Sequence, residues 1–265
     1  SISFTRLKLL ELLPSAKDGG DKLARWYELR HDLSHRSTPI ATYPGNVLMK
    51  LCLASIEDEA ANADWETYRR RMEITRSYHL RVFIYQCKSL PSVNENGLLD
   101  PYVKVRFGGE KGKTVALTGT RNPAFYEVFT FDKLLPEELE LAPHVVIQVW
   151  DNGVRSTPVA AVRKELKELQ VIKNVFDATS PKPYWVDLHG IDGATKMGQM
   201  LVAFQLFEKK DMKQALPPPP PIKPTFRRCY LDIHTIGIRN FLVQTKGKTV
   251  VRRPSIKYEL FEEGT

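Results

Sequence analysis

The chain has 265 residues, enough for one well-buried core and a second partial module. Its 39 Lys and Arg against 31 Asp and Glu leave a formal charge of +8, which favours an anionic surface as partner without specifying a fold. Three widely spaced cysteines, Cys52, Cys87 and Cys229, make no CxxC pair. They argue against a disulfide framework or a zinc site and fit a reducing compartment. No run of about 18 apolar residues occurs, so no membrane-spanning helix is expected. Ser1 and an unfinished final strand lead us to expect an internal piece of a longer protein.

Residues 1–76 read as a helical region. LKLLELL, DKLARWYELRHDL and the longer segment from Asn46 to Ile74 carry apolar residues at three- and four-residue steps, with Asn46 as a candidate cap. Arg69, Arg70 and Arg71 close this stretch and read first as a solvated helix face. From Ser77 the period changes to two. Eight strands are predicted within 78–87, 102–107, 113–118, 125–131, 144–150, 158–163, 184–188 and 199–207. A short helix is expected over 164–176. Strands without repeated helices between them argue for a mainly β, eight-stranded antiparallel sandwich over 77–210. Its core should include Leu80, Val82, Ile84 and Phe129, with Cys87 as a small buried hydrophobe. PPPPPIKP, within a Pro-rich linker over 211–224, reads as a semi-rigid spacer. CYLDIHTIGIRNF and RRPSIKYELFE then suggest a second module starting in 225–265.

Two motifs narrow the fold. YHLRVFIYQC runs through a Pro/Asn/Gly-rich loop to Asp100-Pro101-Tyr102 and the strand VKVRF. TRNPAFYEVFTFD supplies an Asn-Pro turn before an aromatic-rich strand. Together they resemble a C2 domain, the β-sandwich that docks on phospholipid through loops at one end. The wording RSYHLRVFIYQCKSL is similar to the ferlins, multi-C2 proteins of membrane trafficking.

The resemblance implies two devices. The first is a calcium site, which needs six to eight oxygen ligands. The family takes these mainly from five acidic positions. Here Asn94 and Asp100 stand at the two in the first loop, Asp151 and Gly153 at two in the third, and Thr157 or Pro158 near the last. Asp100 and Asp151 alone survive, so no cofactor is expected beyond weak calcium. Glu95 lies one residue out of register, and Asp100 has a loop-bracing role open to it. The second device is a basic face for phosphoinositide headgroups. Lys104 and Arg106 alternate on one strand, and Lys111 and Lys113 follow. Leu98 and Leu99 at the first loop either wedge into a bilayer or pack beneath the loop.

Other constellations fail on spacing. FGGEKGKT has Phe107 where a phosphate-binding loop requires Gly, and it joins two strands. His31, Asp32 and His35 lack a further ligand, and no hydrolase motif is present. The resemblance implies a non-enzymatic module on anionic phospholipid at the cytosolic face of membranes, serving vesicle trafficking and fusion. The alternative is a calcium-blind sandwich that packs against neighbouring domains of its own chain. Nucleic acid is not an expected partner.

Overall fold

A computed structural model describes residues 3–5, 24–31, 45–49, 66, 69–91, 98–153, 156–190, 195–225, 227–237 and 258. Two compact units result, 1–222 and 223–265. The first opens with four short strands, β1 (Ser3–Phe4), β2 (Arg25–Glu28), β3 (Arg30–His31) and β4 (Asn46–Met49). Nine more follow residue 74: β5 (Thr75–Lys88), β6 (Pro101–Phe107), β7 (Glu110–Lys113), β8 (Ala124–Pro136), β9 (Val145–Asp151), β10 (Thr157–Lys164), the short β11 (Val171–Ile172), β12 (Tyr184–His189) and β13 (Lys196–Lys209). Their hydrogen-bonded order is β7-β6-β9-β10-β12-β13-β5-β8, with β11 alone added in parallel to β13. A single residue pair, Ala161 with His189, joins β10 to β12. The path therefore breaks there into two antiparallel sheets of four strands, which face each other across one core. This is the expected mainly β, eight-stranded sandwich.

Alternation builds that core. Val103, Val105 and Phe107 from β6 and Val145, Ile147 and Val149 from β9 point inward from one sheet. Leu80, Val82 and Ile84 from β5, Phe131 from β8 and Met200, Val202 and Leu206 from β13 meet them from the other. Each such side chain stabilises the fold by about 1.5–3 kcal/mol when fully buried. Phe129 packs partly buried against this cluster, and Cys87 lies within it. Burial raises the Cys87 thiol pKa well above its usual value. The sheets approach so closely at the β7 edge that a Cβ on Gly112 would run into the Phe129 ring.

Four expectations need correction. The third strand, expected over 113–118, is instead β7 at 110–113. Gly108 and Gly109 both adopt positive φ (52° and 85°), so they close a two-residue turn that pairs the next residues at once with β6. Thr114 ends this pairing, its hydroxyl accepting from the Val103 N–H at 2.9 Å, and Val115 is exposed. The helix over 164–176 is two 3-10 turns, Leu166–Glu168 and Val175–Asp177, flanking β11. Leu166 anchors the segment in the core, while Val171 and Ile172 pair with Leu206 and Phe207. β-branched residues gain more from that ladder than from a helical turn.

Among its described residues the N-terminal segment is helical at 66 and 69–73 and at no other position. β2 and β4 form an antiparallel pair, and β1 pairs with β3. Asn46 therefore lies in a strand and caps no helix. Non-local pairing has overridden a helical period here. Arg69 binds Glu66 at 2.7 Å, and Arg71 donates Nε–H to Glu138 at 2.6 Å.

The Pro-rich segment is more than a spacer. The Pro217 carbonyl accepts from Arg81 of β5, and residues 214–219 border a cavity over His79, Arg81, Asp132 and Lys209. In the second unit, residues 227–237 carry no strand. The rest of the expected second module, apart from Tyr258, lies outside the described residues.

Candidate functional site: a basic face and a loop end

Pairing register decides which side chains share a surface. Lys104 stands directly opposite Lys113, and Arg106 opposite Lys111. Because inward Val105 separates Lys104 from Arg106, all four cations share the outer face of the β6–β7 hairpin. Like charges directly opposite on a sheet repel. Among the described residues no carboxylate pairs with any of the four, since Glu110, the acid in this hairpin, is held by Lys133 at 2.6 Å.

An aromatic floor underlies the upper half of the face. Tyr102 of β6 and Trp150 of β9 are paired across strands, with ring centroids 6.4 Å apart and 29° between planes. The Lys104 ammonium lies 3.4 Å from the Trp150 centroid and 5.3 Å from that of Tyr102. Such contacts hold the side chain over the rings without neutralising its charge. Tyr102 was marked in the sequence only as the end of the Asp-Pro-Tyr motif, and Trp150 not at all. The available signal was alternation: Tyr102 lies two residues after Asp100, Trp150 directly before Asp151, and both fall on the face opposite the core.

At the lower end of the same face the hairpin of β2 and β4 packs against the sandwich. Trp26 and His144 rings approach at 5.7 Å, Asn46 Nδ2 lies 3.4 Å from His144 Nδ1, and Glu28 pairs with Arg163 of β10. Burial lowers the His144 pKa. The hairpin thus reaches the Arg106 and Lys111 end and leaves Lys104 and Lys113 to solvent.

The loop end is braced by its surviving acids. Asp151 is almost fully buried, and its Oδ1 accepts the Asp100 N–H at 2.8 Å. Asp100 Oδ1 accepts the Gly119 N–H at 2.7 Å, and its carbonyl accepts the Asn152 N–H at 2.9 Å. One residue thereby ties the first loop to the second and the third. Among the described residues no cluster of three or more His, Cys, Asp or Glu surrounds a common point. Each carboxylate has one oxygen engaged by a backbone N–H, and two carboxylates by themselves fall short of the six to eight oxygens that calcium takes, so the described donors alone do not make a calcium site. Asn94 and Glu95 lie outside the described residues; Gly153 is exposed. Leu99 is fully buried in the core, so of the two leucines only Leu98, 39% exposed beside Gly119, presents apolar surface at this end.

Residues 78–188 match the family model of the C2 domain. The sandwich is a C2 domain. Over a wider span the chain is similar to ferlins: 27% identity over 168 residues with Ferlin 1 of Toxoplasma gondii, and 26% over 180 residues with Myoferlin of Mus musculus. Each match covers 62% of this chain, but only 11% and 9% of those relatives. The chain thus spans about a tenth of the length of the ferlins it matches. Multiple C2 domain and transmembrane region protein 8 of Arabidopsis thaliana is 41% identical over 118 residues, 44% of this chain and 12% of that protein. Among solved structures, a C2 domain of plant Extended Synaptotagmin 1 aligns at 19% identity and TM-score 0.41, covering 50% of this chain and 96% of that one. No helix among the described residues is long and apolar enough to cross a membrane.

Proposed function

We propose that this C2 domain is a non-enzymatic docking module of a ferlin-like protein. It binds anionic phospholipid at the cytosolic face of membranes during vesicle trafficking and fusion, and does so without calcium. The observation that carries this reading is the pair of unneutralised like-charge pairs, Lys104 with Lys113 and Arg106 with Lys111, beside the Tyr102–Trp150 floor. A membrane's phosphates would relieve that repulsion, and each cation near an anionic surface contributes about 1 kcal/mol. Leu98 adds an apolar contact at the loop end. Asn94 and Gly153, which stand where two of the family's carboxylates are expected, support calcium independence.

A second reading is a sandwich that packs against other parts of its own chain. The hairpin on the lower face, tied by Glu28 to Arg163, favours it.

Co-sedimentation of the full chain with vesicles of phosphatidylcholine and phosphatidylserine separates the two. The docking reading expects binding in chelator that weakens as salt rises, since screening at physiological ionic strength acts over about 8 Å. Replacing Lys104, Arg106, Lys111 and Lys113 with Ala should abolish most of it while leaving the fold intact. Equal binding by both proteins would refute the assignment. The packing reading expects no vesicle binding by either.

A further inference from the structure

Between the N-terminal hairpin and the lower face lies a cavity of about 330 Å³, lined by Trp26, Asn46, Arg106, Gly108, Lys111 and His144 among others. Its size falls at the small end of ligand pockets, roughly 300–1,000 Å³. Three polar atoms of this lining are buried without a hydrogen-bond partner: Trp26 Nε1–H, Arg106 Nε–H and Asn46 Oδ1. Buried polar groups are almost always satisfied, so each such group needs an occupant to meet it. Arg106 and Lys111 bring two positive charges, and the one carboxylate of the lining, Glu110, is engaged by Lys133. On the hairpin side, Glu28 is engaged by Arg163. A Cβ at Gly109 would meet nothing within 4 Å, so that part of the wall is open, while the Lys133 side chain packs against Gly108.

We infer that this cavity is a phosphate-binding pocket shared between the N-terminal hairpin and the C2 domain. Two unmet N–H donors and two cations suit the oxygens of a phosphate group. The unmet Asn46 oxygen suits a hydroxyl beside that group, as in a polyol phosphate. The pocket shares Arg106 and Lys111 with the docking face, but Trp26 and Asn46 come from outside the sandwich. The phosphate belongs either to a lipid headgroup or to a soluble metabolite.

Isothermal titration of the full chain with soluble inositol trisphosphate tests the inference. Saturable binding is expected. Trp26→Phe removes the indole N–H while keeping a ring against His144, and should weaken binding about ten-fold, as loss of a charged hydrogen bond does. Arg106→Gln should weaken it at least as much. Lys213→Ala, an exposed residue outside both the pocket lining and the docking face, should change it by no more than a factor of about two. Should Arg106→Gln not fold, as judged by its thermal midpoint, Trp26→Phe alone decides. A cavity holding only water would show no saturable binding, and that result overturns the proposal. So would unchanged affinity in Trp26→Phe. Displacement of the bound probe by vesicles containing a phosphoinositide assigns the site to headgroups, and binding undisturbed by vesicles assigns it to a soluble phosphate. Vesicle binding without probe binding removes this pocket and spares the docking reading; the reverse removes docking and spares the pocket.

Discussion

His79 shows how a single residue couples the sandwich to the chain that follows. Arg81 donates its Nε–H to His79 Nε2 at 3.3 Å, which leaves the imidazole proton on Nδ1, 3.1 Å from Asp132 Oδ1. Lys209 donates to the same Asp132 oxygen at 2.8 Å, and Arg81 reaches on to the Pro217 carbonyl. Burial lowers the His79 pKa, as it does for His144. For Asp132 burial acts upward, but hydrogen bonds from Lys209 and His79 outweigh it and hold the carboxyl below its usual range. The linkage follows from these directions. As pH falls through about 6.5 the unfolded histidines take up protons that the folded ones resist, so stability declines. Asp132 contributes stability above its unfolded pKa, near 3.9, and loses it only as pH falls through its lower folded value. Thermal unfolding should therefore show a midpoint that is level from about pH 8 to 7 and falls from about 6.5 to 5. His79→Gln should flatten part of that fall. A decline of unchanged steepness in the variant would place its origin elsewhere.

At the scale of elements, two glycines govern how the strands meet. Gly198 lies near the start of β13 with φ +95°, and a Cβ there would lie 2.6 Å from the Lys88 carbonyl oxygen and 2.7 Å from that of Ser89. Both obstacles are backbone, so the strand cannot yield cheaply. Gly198→Ala should cost about 2–4 kcal/mol, combining backbone strain with a steric clash. Gly112→Ala meets the Phe129 ring instead, a side chain with some freedom, and should cost about 1–3 kcal/mol. Urea unfolding of both variants checks the order. A Gly198→Ala loss below the Gly112→Ala loss would contradict the backbone argument. The inward faces of the strands were largely legible in the sequence. Alternation in 78–87, 102–107 and 144–150 marked inward residues that are now fully or nearly fully buried.

For the whole molecule, the arrangement makes calcium the discriminating ligand. The described acids at the loop end are engaged with backbone N–H groups, which sets the expectation of no binding at micromolar calcium. Titration calorimetry on the full chain measures this directly. A dissociation constant of about 10 μM or tighter would mean that loop oxygens beyond Asp100 and Asp151 complete a site. If the loop geometry is preserved, Asn94→Asp with Gly153→Asp should restore affinity by returning two carboxylates to their positions.

Local pattern carried much of this architecture. A period of two, punctuated by Gly, Pro and Asn, marked seven of the eight strands of the sandwich. The Asp-Pro-Tyr and Asn-Pro motifs set its family resemblance, and alternation put Lys104 and Arg106 on one face. These are properties of adjacent residues, so they are written in order along the chain. What the sequence left open depends on contacts between distant segments. The register that sets Lys113 opposite Lys104 follows from a two-glycine turn. The stacking of Trp150 on Tyr102 joins residues from different strands, and the burial of Leu99 beside exposed Leu98 reflects the path of one loop over the core. The N-terminal hairpin was hidden most completely. Its residues carry a helical period, and only pairing between 25–28 and 46–49, with Trp26 against His144, makes them strands and brings them to the basic face.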